Sequence, residues 1–269
     1  LLFTGEPGTG KTSTMQEAVR RAVGLSFQVY EGRCFDGSTS SFTPVIEIVR
    51  QIFTNLTRSQ RSVEESTLLA DYQASQSDLQ RMGDILHDYR AELLLIAPEL
   101  RRWIPGDGQA PAFQNDPEYI FRALATMFIE LSQVASLCLC FDDIQWADNS
   151  TLTFLRHLAA AIHQDRQDVD RAKTRPIALM CTGRSGYTSL NAFRERMETL
   201  AEEIELRPLN VDETRELLAL RLGCLPSSIV DELTQAIDSL CQGNPFFVSE
   251  TIREWHTRGM VVRTTDGWQ

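Results

Sequence analysis

The stretch Gly5-Glu6-Pro7-Gly8-Thr9-Gly10-Lys11-Thr12 constrains the fold more than any other part of the chain, because a loop of this pattern needs a strand before it and a helix after it. Both are written in its flanks. Leu1-Leu2-Phe3-Thr4 reads as the end of a buried strand, and Thr12 to Val23 contains no Pro or Gly and carries Met15, Ala18, Val19, Ala22 and Val23 at helical spacing. The pattern itself is G-x-x-x-x-G-K-[ST]. Glycines without Cβ let the loop curl until successive backbone N–H groups face inward and wrap a phosphate. Lys11 then brings a point charge to the β- and γ-phosphates, the Thr12 hydroxyl is placed to ligate Mg2+, and the helix dipole adds to the anion site. The expectation is an α/β fold in which Gly5, Glu6, Pro7, Gly8, Thr9, Gly10, Lys11, Thr12 and Ser13 bind a nucleotide.

A formal charge of -11 and a pI near 4.9 argue against a surface that tracks nucleic-acid phosphates, since such surfaces cluster Lys and Arg. No direct nucleic-acid binding by this region is expected. The cysteines at 34, 138, 140, 181, 224 and 241 form no C-x-x-C pair and no zinc spacing, and the histidines do not cluster with them. Cys138 and Cys140 alternate on one expected strand and Cys181 lies on another, which makes them small reduced core residues. The longest apolar run, Leu137 to Phe141, is far too short for a bilayer, and no signal-peptide pattern opens the chain, so a cytoplasmic location without membrane contact is expected. A strand that begins at residue 1, and a last stretch from Met260 to Gln269 that looks like a hairpin cut in the middle, point to a piece of a longer protein.

Along the chain, Gly24 serves as a C-cap and Leu25 to Tyr30 alternates as a second strand, followed by a polar turn region from Gly32 to Ser41. Thr43-Pro44 opens a helix whose stripe is Val45, Ile46, Ile48, Val49, Ile52 and Phe53. Thr57 to Ser77 is polar, and its pattern does not decide between a surface helix and a mobile insertion. Leu79 to Ala97 reads as one helix closed near Pro98, and Pro105-Gly106-Asp107-Gly108 as a loop. The next helix takes Asp116 as N-cap and Pro117 at its first position, with Ile120, Phe121, Leu124, Met127, Phe128, Leu131 and Val134 as its apolar face.

Leu137-Cys138-Leu139-Cys140-Phe141 is apolar throughout, as a central parallel strand covered on both faces should be, and it delivers Asp142-Asp143 at its end. Carboxylates there reach the crevice where open α/β sheets bind ligands. Asp142 is the candidate for the Mg2+ shell and Asp143 for polarising the attacking water; paired acids at a strand end also serve as caps or solvated turns, and the phosphate loop favours the catalytic reading. Asp148, Asn149 and Ser150 can cap a helix through Leu152, Leu155, Leu158 and Ile162, with a charged linker from Gln164 to Arg175. Pro176 to Thr182 is a further buried strand. Gly183-Arg184 follows at once, and Arg184 is either a γ-phosphate sensor or a surface arginine at a strand end. Ile204-Glu205-Leu206 makes a fifth strand, and three helices follow: one from the capping box Asn210-x-x-Glu213 to Gly223, one from Pro226 to Cys241, and one that Gly243-Asn244-Pro245 turns into. Val261 to Arg263 and Asp266-Gly267-Trp268 read as the start of a hairpin.

Taken together, Gly5 to Thr12, Phe141-Asp142-Asp143-Ile144-Gln145-Trp146-Ala147-Asp148 and Gly243-Asn244-Pro245-Phe246-Phe247 resemble the STAND class of signal-transduction P-loop ATPases, close to AAA+ proteins. More narrowly the set is similar to the ATPase module of large bacterial and fungal regulators: proteins with a Ser/Thr kinase domain upstream and a histidine kinase downstream, LuxR-type regulators and some adenylyl cyclases. The resemblance implies a P-loop NTPase three-layer sandwich with a mainly parallel five-stranded sheet over residues 1–207, a helical lid subdomain over 208–258 and the start of a winged-helix segment over 259–269. It implies ATP or ADP and Mg2+ as cofactors, Asp142 and Asp143 as the Walker B acids, Arg184 as a sensor and Pro245 against the adenine. The implied function is an ATP-binding, slowly hydrolysing switch, with flanking kinase, histidine kinase, cyclase or DNA-binding domains of the same chain as partners and with self-association. The Gly-Arg-Glu signature that usually precedes the first strand is not in this sequence, and no residue stands out as an arginine finger. Those two departures, with the polar stretch from Thr57 to Ser77, support the rival reading of a non-hydrolysing nucleotide-bound scaffold. A small-molecule phosphotransferase is the weaker third reading, since an Arg-rich lid is not evident.

Overall fold

Leu137–Asp142 is the strand on which the acids of the chain depend, and it is buried from end to end up to Asp142. The computed structural model describes residues 1–37, 40–64, 69–104, 117–167, 175–223, 228–264 and 267–268. In chain order its elements are β1 (Leu2–Gly5), α1 (Lys11–Gly24), β2 (Gln28–Arg33), α2 (Thr43–Glu64), α3 (Leu69–Asp88), α4 (Arg90–Ile96), α5 (Pro117–Val134), β3 (Leu137–Asp142), α6 (Asn149–Gln167), β4 (Ile177–Arg184), α7 (Thr188–Met197), β5 (Glu203–Leu206), α8 (Val211–Leu222), α9 (Ser228–Cys241), α10 (Pro245–Thr257), β6 (Arg263–Thr264) and β7 (Gly267–Trp268). The first five strands form one sheet in the order β2-β3-β4-β1-β5, and β2, β3 and β4 run parallel. The fold is α/β with a mainly parallel five-stranded sheet, as the phosphate-loop pattern and the apolar strands require.

The chain divides into two compact units: Leu1–Phe3 with Met15–Glu203, and Thr4–Thr14 with Ile204–Gln269. In the first, Leu137, Leu139 and Phe141 of β3 meet the stripe Val45, Ile48, Val49 and Ile52 of α2 and the face Leu124, Met127, Phe128 and Leu131 of α5 in one core. Each large apolar side chain fully withdrawn from water there contributes about 1.5–3 kcal/mol before chain entropy is counted. Aromatic pairs tie the helices together: Phe128 lies 5.9 Å from Phe154 of α6, and Phe42 lies 5.6 Å from Phe121 of α5. Asp148 joins the starts of two helices, its carboxylate accepting from Ser150 N and Thr151 N at the head of α6 and from Phe42 N just before α2.

The second unit has its own smaller core of Leu218, Leu222, Val230, Ile237, Val248, Ile252 and Val261. Its helix α8 opens on a complete capping box, with Asn210 Oδ1 accepting from Glu213 N at 2.9 Å and Glu213 Oε2 accepting from Asn210 N at 2.8 Å. Gly223 ends it in the left-handed conformation (φ 63°) that glycine adopts without strain. The strands β6 and β7 pair antiparallel as a short hairpin.

Several boundaries differ from the sequence expectation. The second strand starts at Gln28 rather than Leu25, because Ser26 adopts φ 64° and the amides of Leu25, Ser26 and Phe27 bond back to the end of α1. The single helix expected from Leu79 to Ala97 begins earlier, at Leu69, and breaks at Tyr89, where φ -90° and ψ 17° interrupt it. Tertiary bonds flank that break: the Tyr89 hydroxyl donates to Glu130 at 3.1 Å, and the Tyr119 hydroxyl donates to Glu92 of α4 at 2.6 Å. Helix α6 continues through Gln167, into the stretch read as a linker. Helix α7 is not among the expected elements; it buries Leu190, Phe193 and Met197, and Tyr187, which precedes its first residue, provides no side-chain cap. The expected cap Asp116, the loop Pro105 to Gly108 and the helix start at Pro226 lie outside the described residues. Among the described residues no helix is long and apolar enough to cross a membrane.

Candidate functional site

The phosphate loop lies in the second unit. Gly5, Gly8 and Gly10 adopt φ of 146°, 84° and 93°, values that side chains strain to reach, and this is how the loop curls. Two of these glycines are also required by their surroundings. A Cβ on Gly5 would stand 2.4 Å from the Leu206 carbonyl oxygen, and one on Gly8 would stand 2.4 Å from Asn244 Oδ1. Thr9 staples the loop to itself, its hydroxyl donating to Glu6 O at 2.8 Å. Lys11, the first residue of α1, is buried and donates from Nζ to Gly5 O at 3.0 Å and Glu6 O at 2.6 Å. Thr12 and Ser13 follow it at exposed positions in the first helical turn. The N–H groups of such a turn point out along the helix axis, towards the side where an anion is favoured.

The loop fits nucleotide phosphates on its donor chemistry. Glycines at positive φ, an ammonium at the helix head and carbonyls occupied by other donors leave a surface of N–H and hydroxyl groups, the set that phosphate oxygens take. The Thr12 hydroxyl and the Asp142 carboxylate are hard oxygen donors of the kind Mg2+ accepts. Pro245 opens α10 in the same unit as the loop. The contacts to the loop come from its neighbours: Asn244 Nδ2 donates to Pro7 O at 2.8 Å, and Phe246 N donates to Gly8 O at 3.2 Å.

Asp142, Asp143 and Arg184 come together in the first unit, at the ends of β3 and β4. Thr182 of β4 is fully buried and binds both acids: its hydroxyl donates to Asp142 Oδ1 and accepts from Asp143 N at 2.9 Å. Asp143 sits at φ 59°, a left-handed conformation that aspartate tolerates better than most residues, and this turns the chain from β3 into the short 3-10 turn Ile144–Trp146. Its carboxylate meets three side chains. Gln145 Nε2 donates to Oδ1 at 2.8 Å, Arg33 Nη2 pairs with Oδ2 at 3.3 Å, and Arg184 Nε stands 3.8 Å from Oδ1. Gln145 is itself buried and accepts from Arg184 N at 3.0 Å, so its amide fixes both a carboxylate and the backbone that carries an arginine. A positioned carboxylate at a strand end can orient water, and two guanidinium groups beside it can meet a phosphoryl oxygen.

Arg33, Thr182, Gln145 and Asn244 are the residues that sequence reasoning did not single out. Arg33 stands in register with Asp142 across the β2–β3 pair, which only the sheet reveals. Gln145 and Asn244 lie inside the Asp142 to Asp148 and Gly243 to Phe247 motifs, and their position there is the available signal. The cysteines do not enter the site chemistry. Cys34, Cys138, Cys140 and Cys181 are buried, and burial pushes the Cys181 thiol up to about 12 and raises the Cys34 thiol as well, so both stay protonated. Among the described residues no group of three or more His, Cys, Asp or Glu side chains is placed to hold a metal ion.

Residues 1–169 match the family described as the AAA ATPase domain. No curated protein matches the chain. Among solved structures it is similar to Cdc6p from Pyrobaculum aerophilum, with a TM-score of 0.45 and 15% identity over 96% of this chain and 56% of that one. The ORC2 protein of Aeropyrum pernix in its ADP form gives a TM-score of 0.39 and 13% identity over 96% and 58% of the two chains. The ADPNP-ADP complexes of the same protein give 0.42 and 12% over 96% and 57%. The chain thus spans a little over half the length of these structures.

Proposed function

The chain belongs to the AAA ATPase domain family, a nucleotide-binding family, and from that premise we propose that it is an ATP-binding, slowly hydrolysing switch module of the STAND type, working in the cytoplasm within a larger multidomain regulator. Its organisation is proposed as a P-loop core over residues 1–207, a helical lid over 208–258 and the start of a winged-helix segment over 259–269. Gly5 to Ser13 take the phosphates, Lys11 exchanging its carbonyl partners for phosphate oxygens. Thr12 and Asp142 hold Mg2+, which supplies charge neutralisation at the transferred phosphoryl group. Asp143 orients the attacking water, Arg184 senses the γ-phosphate and Pro245 lies against the adenine. The output passes to flanking kinase, histidine kinase, cyclase or DNA-binding domains, or to a second copy of the chain.

One observation carries the switch reading: the phosphate loop and helices α8 to α10 belong to one compact unit, bonded at Pro7 and Gly8. A ligand gripping that loop acts on helices far along the sequence, and it shifts their equilibrium by the difference in its affinity for the two arrangements. The rival scaffold reading draws support from the engagement of Asp143 by Arg33, Gln145 and Arg184, which competes with water for the carboxylate.

Calorimetric titration with Mg-ATP and ADP, followed by a phosphate-release assay, tests the reading. Lys11→Ala is expected to weaken binding by at least about tenfold, the loss of one charge-assisted contact to phosphate. Asp143→Asn is expected to keep binding and to lower release by roughly 10²-fold or more, the usual worth of a positioned base. A parent chain that binds neither nucleotide, with Lys11→Ala indistinguishable from it, sinks the switch. One that binds Mg-ATP tightly and releases no phosphate is the scaffold.

A further inference from the structure

Four consecutive carbonyls of the phosphate loop each meet a named donor. Gly5 O and Glu6 O take Lys11 Nζ, Pro7 O takes Asn244 Nδ2 at 2.8 Å, and Gly8 O takes Phe246 N at 3.2 Å. The first pair is served from within the motif. The second is served by the head of α10, with Asn244 lying 237 positions after Pro7.

Asn244 uses both ends of one amide. Its Oδ1 caps α10 by accepting from Phe246 N at 3.1 Å and Phe247 N at 3.4 Å, while its Nδ2 donates to the loop. The reverse orientation would set donor against donor and oxygen against carbonyl, so the network fixes the amide. It is held from behind as well. Asn244 N donates to Cys241 O at 2.9 Å, Leu209 N donates to Gly243 O at 2.8 Å, and a Cβ on Gly243 would stand 2.0 Å from Leu209 O. In front, the missing side chain of Gly8 leaves the room that the amide fills.

A peptide plane is rigid, so the carbonyl of one residue turns with the N–H of the next. The planes that carry Pro7 O and Gly8 O carry the N–H groups of Gly8 and Thr9, inside the phosphate-binding motif. Any ligand that turns those N–H groups inward turns the two carbonyls against Asn244 and Phe246. We propose that Asn244 is a positioning residue that couples occupancy of the phosphate loop to helix α10, so that nucleotide bound by the loop alters the capping of that helix. The proposal rests on the nucleotide-switch reading. It assigns the coupling to one side chain of the Gly-Asn-Pro turn. The amide cannot move its Nδ2 without moving the Oδ1 that caps the helix.

Two variants separate the jobs. Asn244→Ser keeps an N-cap acceptor but is too short to bond Pro7 O, and Asn244→Asp keeps the cap while facing that carbonyl with a group that cannot donate. Amide hydrogen exchange is followed at Phe246, Phe247 and Val248 in the 269-residue chain, with and without saturating Mg-ATP, with Ile237 of α9 as a folding control and calorimetry in parallel. In the parent, Mg-ATP is expected to change exchange at the head of α10 by about tenfold, a size local opening equilibria readily report. In both variants that change is at least halved, the backbone bond from Phe246 N to Gly8 O being the link that remains, and Ile237 exchanges as in the parent. Variants that keep the parent's response, or a parent that binds Mg-ATP with no change at α10, overturn the coupling and leave the nucleotide reading standing. A parent that binds no Mg-ATP overturns both.

Discussion

Gln145 shows what a single buried amide contributes to the acidic end of the sheet. It donates to Asp143 Oδ1 and accepts from Arg184 N, and its replacement strands both partners where water does not reach them easily. Gln145→Leu, close in volume, is therefore expected to lose about 1–3 kcal/mol of stability, the cost of leaving buried polar groups unpaired. The urea midpoint of the first unit measures it, and an unchanged midpoint sinks the idea. Arg33 makes the contrasting case. Its side chain is 59% exposed, and a pair that open contributes under about 1 kcal/mol, so its weight falls on the orientation of Asp143 rather than on the fold. The acids and the lysine of this site were legible in the sequence because each sits at a fixed offset within a short motif. Arg33 was not, since it reaches Asp143 only through the pairing of β2 with β3, and neither were the partners of Asn244, because nothing local in Gly243-Asn244-Pro245 names Pro7.

Among the elements, α8 is the one whose local chemistry is most complete. Glu213 closes its capping box and also accepts from the Arg207 guanidinium at 2.8 and 2.9 Å. The Arg207 hydrogen bond first, and the backbone bond at Asn210 second, hold the Glu213 carboxyl below its ordinary value of 4.5. A depressed carboxylate stabilises the folded form fully above its unfolded pKa, and that contribution is lost as the pH falls through the lower folded value. Protection of the amides of Thr214 and Leu218, taken relative to the intrinsic exchange rate at each pH, is thus expected to fall on acidification below 4.5, and in Glu213→Gln this acid-induced component disappears. Equal acid sensitivity in the two chains would remove Glu213 as the cause. This helix was legible from residue types alone, as were the stripes of α2 and α5, because capping boxes and 3.6-residue periodicity are local signals. Helix α7 escaped notice for the opposite reason: it starts after Tyr187 without a side-chain cap, and its short apolar face shows only against the core that it covers. The break between α3 and α4 is likewise flanked by tertiary hydroxyl bonds, Tyr89 to Glu130 and Tyr119 to Glu92, whose partners lie far apart in the sequence.

At the scale of the whole molecule, 37 acidic against 26 basic residues give a field that repels polyanions, so an anionic ligand is held by short-range donors at one place rather than by the surface at large. Such a ligand leaves a thermodynamic mark. Anything bound only by the folded chain stabilises it by mass action, about 2.7 kcal/mol at a concentration 100 times Kd. For a chain of this size that corresponds to a rise in Tm on the order of 5–10 °C, since each kcal/mol moves the midpoint by about 2–4 °C. Lys11 belongs to the unit formed by Thr4–Thr14 and Ile204–Gln269, so the melting of that unit must respond whether or not the two units unfold together. Scanning calorimetry with Mg-ATP is expected to show the rise in the parent and no more than about half of it in Lys11→Ala, since tenfold weaker binding leaves about 1.4 kcal/mol at the same ligand concentration. A shift that survives undiminished in Lys11→Ala would mean that the stabilising contacts lie away from the phosphate loop, and the role given to that loop would fall with it.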